Sequence, residues 1–116
     1  MEDATTTTGE LKARILAFAR ERDWEQFHAP KNLSMALAAE AAELMEHFQW
    51  LTVEESRKVG EDPQKLRDIG EEMADVLCYT LALANELGID LTAAMLDKMV
   101  KNVAKYPAEE FRGKFE

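Results

Sequence analysis

Two pairs of acidic residues have the spacing of a metal site built on helices. Glu40 and Glu43 form one pair, and Glu72 and Asp75 form the other. Residues three apart are neighbours on a helix surface, and at about 100° per residue both pairs border the apolar stripes of their helices. If these helices pack side by side, the four carboxylates converge. Such a cluster requires cations or protons, and all-oxygen ligation favours Mg²⁺, with Mn²⁺ as a substitute.

The spacing of the acidic pairs is also compatible with helices that bind no metal. Glu-x-x-Glu is common on ordinary solvated helices, and spacing by itself does not decide between the two. A di-iron bundle is excluded, because that architecture requires a Glu-x-x-His motif on two helices. Here His47 follows Glu43 by four residues, and the helix with Glu72 has no histidine.

Aromatic and histidine side chains accompany the acidic pairs. Trp24 and His28 precede the helix with the first pair, Trp50 ends that helix, and Tyr79 lies one turn after the second pair. Flat rings beside a metal–phosphate site suggest a stacked nucleobase. Alternatively, the rings cap the ends of the helical core, and His28 is a hydrogen-bonded structural group.

A basic face lies on the last long helix. Lys98, Asn102 and Lys105 follow one another by four and three residues and therefore share one side. In an acidic protein, such a face opposite a metal site suits phosphate. The alternative is a cation-rich last turn that complements the helix dipole, which accounts for Lys105. Cys78 lies among apolar residues and is predicted to be an inert core thiol.

The elements that must position these side chains are helices. Ala, Leu, Met, Glu and Lys are abundant, and period-2 alternation is hard to find. We predict an all-α, four-helix-bundle-like fold with a disordered tail over 1–8, a helical domain over 9–107 and a polar tail over 108–116. The first predicted helix runs from the Thr7/Glu10 capping box to about residue 22, and the second spans 33–50 with Asn32 as its cap. A short third helix starts after Thr52 and ends at Gly60. The fourth spans 63–87, between Asp62 and Gly88, and the last spans 91–105 with Asp90 as its cap.

Apolar spacing predicts which helix faces point inward. The predicted core stripes are Leu11, Ile15 and Phe18 on the first helix; Leu33, Leu37, Ala41, Leu44 and Phe48 on the second; Leu66, Ile69, Met73, Val76, Leu77 and Ala84 on the fourth; and Leu91, Met95, Met99 and Val103 on the last. Two helices carry further apolar faces, including Met35, Ala38, Ala42 and Met45. Such extra faces predict a homo-oligomer, either a dimer or a tetramer.

Composition narrows the class of protein. The chain has 116 residues, a net charge of −9 and one cysteine. These values predict one soluble domain in a reducing, cytoplasmic compartment. We expect no nucleic-acid partner, because phosphate neutralisation requires clustered cations. We expect no membrane partner either, because no run of about 18 apolar residues is present.

Four segments resemble, in order and spacing, the MazG-like superfamily of all-α nucleoside triphosphate pyrophosphohydrolases, and within it the dCTP pyrophosphatase branch. These segments are ERDWEQFHAPKNL at 21–33, EAAELMEHFQW at 40–50, EEMADVLCY at 71–79 and KMVKNVAKYP at 98–107. The WEQFH and FQW sequences are more specific than the acidic motifs. The resemblance covers about residues 11–107.

The resemblance implies Mg²⁺-dependent hydrolysis of a (deoxy)nucleoside triphosphate, dCTP or a related pyrimidine, to monophosphate and pyrophosphate. By position, it assigns the metal and the catalytic chemistry to Glu40, Glu43, Glu72 and Asp75; the nucleoside to Trp24, His28, Trp50 and Tyr79; and phosphate or sugar to Lys98, Asn102 and Lys105. It also implies oligomers with sites near subunit boundaries. Two alternatives are hydrolysis of a different or modified nucleotide and a non-catalytic helical interaction module.

The sequence departs from the branch at two positions. Animal members carry a histidine on the first helix where this chain has Ile15, and an arginine where it has Lys105. The first change implies weaker discrimination among pyrimidines. The second exchanges a bidentate phosphate contact for a point charge.

Overall fold

The protein is described by a computed structural model over residues 1–114. Within that range every regular element is helical and no strand is present, which confirms the all-α prediction. The α-helices are α1 (Thr8–Glu21), α2 (Pro30–Glu46), α3 (Val53–Ser56), α4 (Pro63–Leu87), α5 (Leu91–Lys105) and α6 (Ala108–Phe111), with short 3₁₀ helices at Glu25–Phe27 and Val59–Glu61.

Two capping boxes start helices where the sequence predicted them. The Thr7 hydroxyl accepts a hydrogen bond from the Glu10 backbone N–H (3.1 Å), and the Glu10 carboxylate accepts one from the Thr7 N–H (3.0 Å). Thr52 and Glu55 make the same reciprocal pair at 3.1 and 2.9 Å. Each box satisfies backbone donors that a helix start leaves without partners.

The ends of α4 and the start of α5 also follow local rules. Asp62 caps α4 by accepting from two backbone N–H groups of the first turn, and Pro63 occupies the first helical position. Gly88 ends α4 with φ at 65°, in the left-handed region that favours glycine. Asp90 caps α5 by accepting from the Ala93 N–H at 2.9 Å.

Several predicted boundaries were wrong. The cap of α2 is Ala29 rather than Asn32, because Pro30 suits the first helical position; the Asn32 side chain instead donates to the Phe27 carbonyl at 3.3 Å. The helix α2 ends at Glu46, and residues 47–50 are turns. Gly60 lies inside a 3₁₀ helix and does not end α3.

Hydrogen-bonded turns and helical residues extend into both predicted tails. At the N-terminal end, Thr8 already belongs to α1, and the Thr5 N–H donates to the Glu2 carbonyl at 3.0 Å. After α5, residues 108–111 form a helical turn, because the Tyr106 and Phe111 rings pack edge to face at 5.2 Å and Pro107 starts a new helix. The end of the predicted polar tail, residues 115–116, lies outside the described residues.

The core lies where α1 and α2 pack on the long α4. Two hydrogen bonds fasten α1 to the end of α4: Asn85 Nδ2 donates to the Lys12 carbonyl (3.0 Å), and Lys12 Nζ donates to the Ile89 carbonyl (2.8 Å). The buried apolar side chains in the described part of the chain are few, and half of them are alanine: Ala19, Leu33, Ile69, Leu81, Ala82 and Ala84.

The inward face of α4 differs from the predicted stripe. Ile69 and Ala84 are buried as predicted, whereas Leu66, Met73 and Leu77 are 52, 57 and 47% exposed. The helix carries apolar residues on two sides, and periodicity does not tell which side packs within the same chain. The predicted stripe is therefore confirmed at Ile69 and Ala84, and this chain leaves it open at Leu66, Met73 and Leu77.

The predicted packing of α5 was also wrong. Met95, Met99 and Val103 are 66, 50 and 71% exposed, because the chain bends by 102° between α4 and α5 and, among the described residues, α5 makes no extensive contact with another helix. Within residues 1–114, no helix by itself is long and apolar enough for a membrane span; α4 and α5 meet that criterion only as a bent pair.

Candidate functional site

Three of the four predicted carboxylates come together between α2 and α4. One carboxylate oxygen from each of Glu40, Glu43 and Glu72 lies within 4.8 Å of the other two. Glu40 and Glu72 are half-buried, and Glu43 is exposed. Glu40 Oε2 and Glu72 Oε2 are buried and have no hydrogen-bond partner in the described structure. Two buried oxygens with free lone pairs, beside a third carboxylate, fit a hard divalent cation.

Mutual repulsion and burial perturb this acidic cluster. The pKa of Glu40 is raised, first by a hydrogen bond with Glu43, then by burial and by the charges of Glu43, Asp75 and Glu72. The pKa of Glu72 is raised mainly by burial and then by the Glu43 and Asp75 carboxylates, while His47, with Nε2 4.0 Å from Glu72 Oε1, lowers it. The cluster is therefore deficient in positive charge, which a cation can supply.

Asp75 lies outside the tight cluster but connects it to a cavity. Its side chain is exposed and lines the cavity, and its charge is felt by both Glu40 and Glu72. Asp75 follows Glu72 by three residues on α4, so the two carboxylates are neighbours on one helix surface. The acidic cluster and the cavity therefore form one continuous site.

The cavity has a volume of about 310 Å³. This volume is at the low end of the range for ligand pockets, about 300–1,000 Å³. Its lining combines side chains of α1, the segment after α1, and α4: Ile15, Phe18, Trp24, His28, Asp75, Cys78, Tyr79 and Ala82. A mainly apolar lining with a few polar side chains is typical of pockets that bind small molecules.

Aromatic rings form one wall of this cavity. Phe18 and Trp24 pack edge to face, with ring centroids 5.5 Å apart and an interplanar angle of 74°. Trp24 is 44% exposed, so it has surface left for a ligand. The predicted residues Trp24, His28 and Tyr79 thus lie together with Asp75 around the cavity.

The structure does not bring the other predicted binding residues to this cavity. Trp50 is 87% exposed and is not among the lining side chains, because α2 ends four residues earlier and the chain turns away. Lys98, Asn102 and Lys105 lie exposed on α5, which the 102° bend directs away from α4. Lys105 Nζ instead lies 5.2 Å from the centroid of the Tyr106 ring.

Sequence reasoning assigned several lining residues to the core. Phe18 was predicted as part of an apolar core stripe, and Cys78 as an inert core thiol. Cys78 instead lines the cavity, and its pKa is raised, mainly by burial and then by the Asp75 charge. The spacing along α4 could have indicated that Cys78 shares a face with the site residues. Its neighbours on that face, three or four residues apart, are Asp75, Tyr79 and Ala82.

Comparisons with known proteins identify the family to which the chain is similar. Residues 35–114 match the MazG-like family. The chain is 50% identical to dCTP pyrophosphatase 1 of Homo sapiens, over 88% of this chain and 60% of that protein, and 46% identical to the Bos taurus protein of that name, over 96% and 72%. It therefore spans about three-fifths of the length of the human relative.

A solved structure has a similar fold. The crystal structure of a pyrophosphatase from Archaeoglobus fulgidus is similar to this chain with a TM-score of 0.80 and 36% identity. The similarity covers 92% of this chain and 98% of that one.

Proposed function

The chain belongs to the MazG-like family, and from that premise we propose that it hydrolyses a (deoxy)nucleoside triphosphate, dCTP or a related pyrimidine nucleotide, to the monophosphate and pyrophosphate. One observation carries the proposal: an acidic cluster with two unpartnered buried oxygens borders a cavity with an aromatic wall. The names of the relatives support the substrate class.

Glu40, Glu43, Glu72 and Asp75 are proposed to hold Mg²⁺, with Mn²⁺ as a substitute. The donor set is all oxygen, which is the preference of these ions. When bound, the cation supplies charge that neutralises phosphate oxygens and lowers the pKa of water. The raised pKa values of Glu40 and Glu72 support this role, because both groups are short of positive charge.

The carboxylates also supply a general base. In the proposed reaction, water attacks the α-phosphorus, one carboxylate of the four takes the proton, and the bond from the α-phosphorus to the bridging oxygen breaks. Pyrophosphate leaves with the electron pair of that bond. A carboxylate whose oxygens are not all committed to the cation is suited to take the proton.

The nucleoside is proposed to occupy the cavity. Trp24 and Tyr79 offer ring faces for stacking on the base, worth about 1–3 kcal/mol per contact. His28, which is half-buried at the same cavity, offers a hydrogen-bonding group for the base or sugar. Because Asp75 lies at this cavity and beside the acidic cluster, the triphosphate of a bound nucleotide extends toward the carboxylates.

We propose that a second copy of the chain brings the remaining predicted residues to the site. The accessible surface is 9219 Å², roughly 2,800 Å² more than the surface expected of a compact monomer of this mass. The radius of gyration is 17.1 Å, against about 13 Å for a compact domain of this length. We propose a homo-oligomer, a dimer or tetramer, in which Trp50 and the α5 residues Lys98, Asn102 and Lys105 reach a neighbour's site and contact base and phosphate.

Pyrophosphate release from a panel of nucleoside triphosphates, with and without Mg²⁺, tests the proposal. We expect release from pyrimidine deoxynucleotides only when the metal is present. Metal-dependent release from a different or modified nucleotide alone would contradict the proposed substrate but not the proposed role of the metal. No release from any nucleotide would favour a non-catalytic helical interaction module.

A further inference from the structure

The segment that follows α1 contains a left-handed residue that is not glycine. Asp23 has φ at 55° and is the one such non-glycine residue in the described part of the chain. Its N–H donates to the Arg20 carbonyl (3.1 Å), and the Trp24 N–H donates to the Ala19 carbonyl (2.9 Å). This pair of bonds is a Schellman motif, in which glycine is the usual left-handed residue. A non-glycine residue there is uncommon.

Side-chain contacts hold this turn in place. Gln26 Nε2 donates to both the backbone carbonyl of Asp23 (2.9 Å) and its Oδ2 (3.1 Å). Arg20 Nε donates to Glu25 Oε1 at 2.7 Å, so an ion pair bridges the two sides of the turn. A sparsely populated backbone conformation persists where its surroundings over-determine it, and such positions cluster at functional sites.

The turn sets the position of the aromatic wall. Trp24 directly follows Asp23. Its ring packs against the ring of Phe18, six residues earlier on α1, with the two centroids 5.5 Å apart. Phe18 is held in turn by Arg22, whose guanidinium carbon lies 3.8 Å from the ring centroid and whose Nη1 donates to the Phe18 carbonyl at 3.0 Å. Both rings line the cavity. The apolar contact that ordinarily accompanies a Schellman motif is therefore the cavity wall itself.

We propose that Asp23 is a positioning residue for nucleobase binding: its left-handed conformation fixes the Trp24 ring against Phe18 before a nucleotide arrives. The proposal rests on the proposed function of the cavity. A ring that is already ordered loses less freedom on binding, so pre-organisation appears as affinity. Asp23 touches neither substrate nor metal in this role and acts only through Trp24.

A spectroscopic experiment tests the positioning without turnover. In a Trp50→Phe background Trp24 is the only tryptophan, and acrylamide quenching reports how freely its ring is reached. Asp23→Val is expected to increase quenching, because a β-branched residue disfavours the left-handed region. Asp23→Gly and Asp23→Asn, which tolerate that region, are expected to match the parent protein. Asp23→Ala is the milder substitute if Asp23→Val does not fold.

A kinetic experiment connects the turn to binding. Asp23→Val is expected to raise the KM for dCTP about tenfold with kcat unchanged, the pattern of lost uniform binding. Asp23→Gly and Asp23→Asn are expected to retain the parental KM. Thr7→Ala is the matched control, because it removes the cap at the opposite end of the same helix and lowers the Tm without changing KM.

The outcomes separate the two proposals. Equal quenching of Trp24 in the Asp23→Val and parent proteins would overturn the positioning role, whether or not the protein is active. A rise of KM in Thr7→Ala as large as that in Asp23→Val would also overturn it, since any loss of stability would then suffice. A parent protein that hydrolyses no nucleotide would overturn the proposed function and leave the quenching result to decide the role of Asp23.

Discussion

At the residue scale, the acidic cluster makes the strongest prediction. Replacing Glu43 by Gln, or Asp75 by Asn, removes one negative charge from the proposed cation site while keeping the side-chain shape. We expect hydrolysis to be lost and helicity to remain, measured by pyrophosphate release and far-UV circular dichroism. Glu46→Gln is the matched control, because Glu46 is exposed on the same helix as Glu43 and lies outside the cluster.

Thermal stability in the presence of Mg²⁺ provides a second test of the proposed cation site. Mg²⁺ that binds only the folded state adds about 2.7 kcal/mol of stability when its concentration is one hundred times its Kd. The Tm of the parent protein is therefore expected to rise with Mg²⁺, and that of Glu43→Gln to rise much less. Full activity in the variant, or in excess chelator, would contradict the assignment.

Ile15 leads to a prediction on base selectivity. Its half-buried apolar side chain lines the cavity and offers no hydrogen bond to a base. We expect kcat/KM for dCTP to exceed that for other pyrimidine deoxynucleoside triphosphates by less than about a hundredfold, or roughly 2.7 kcal/mol in transition-state binding. Ile15→His is expected to increase the preference. A stronger preference in the parent protein would show that other groups read the base.

Glu55 allows a pH prediction independent of the site. Hydrogen bonds from Thr52, the backbone first and the hydroxyl second, lower the pKa of Glu55 below its ordinary 4.5. A lowered folded-state pKa stabilises the fold above pH 4.5, and this contribution is lost as the pH falls through the folded pKa. Thr52→Val is expected to raise the pKa of Glu55 in an NMR titration, and Thr52→Ser to preserve it. An unchanged pKa in Thr52→Val would contradict the role of the hydroxyl.

The role of a residue could be predicted from the sequence where its partners lie close to it along the chain. Capping residues such as Thr7 and Asp62 were predicted correctly, because their partners lie within three residues. The convergence of Glu40, Glu43 and Glu72 followed from two helical spacings and one assumed packing. Cys78 was assigned to the core, because the apolar pattern of α4 does not distinguish a core face from the wall of a cavity.

At the element scale, the end of α4 depends on a backbone conformation that a substitution can test. Gly88 adopts φ at 65°, and an alanine there costs about 1 kcal/mol or more, since its Cβ approaches the following carbonyl. Gly88→Ala is expected to lower the free energy of unfolding in a urea titration. Gly88→Asn is the matched variant, because asparagine tolerates this region better, and it is expected to lose less. Equal losses would indicate a cause other than backbone conformation.

The helices also show where sequence reasoning ends. All the long helices were predicted, because capping and periodicity are properties of each segment. The inward faces of α4 and α5 were predicted only in part, since Leu66, Met73 and Met95 satisfy the apolar pattern as well as Ile69 does. Periodicity reports that a face is buried somewhere; it does not report whether the partner is the same chain.

At the scale of the whole molecule, the exposed apolar faces predict assembly. Met73, Met95 and Val103 are more than half exposed in the single chain, and such surface in a soluble protein marks an interface. Light scattering at micromolar concentration is expected to give a multiple of 13.2 kDa, at two or four chains. A monomeric mass for the active species would contradict the interface and any site shared between copies.

The bend between α4 and α5 has a mechanical consequence. The helix α5 is a rod about 22 Å long at 1.5 Å per residue, attached to the rest of the chain at Gly88–Asp90. A hydrogen bond from Lys12 Nζ to the Ile89 carbonyl holds the segment before α5 in place, and Lys105 is the last residue of α5. A rotation of α5 by about 10° about Gly88–Asp90 displaces Lys105 by about 4 Å, more than the length of a hydrogen bond. If Lys105 contacts phosphate as proposed, contacts far from Gly88–Asp90 restrict the position of its side chain more than contacts near the bend do.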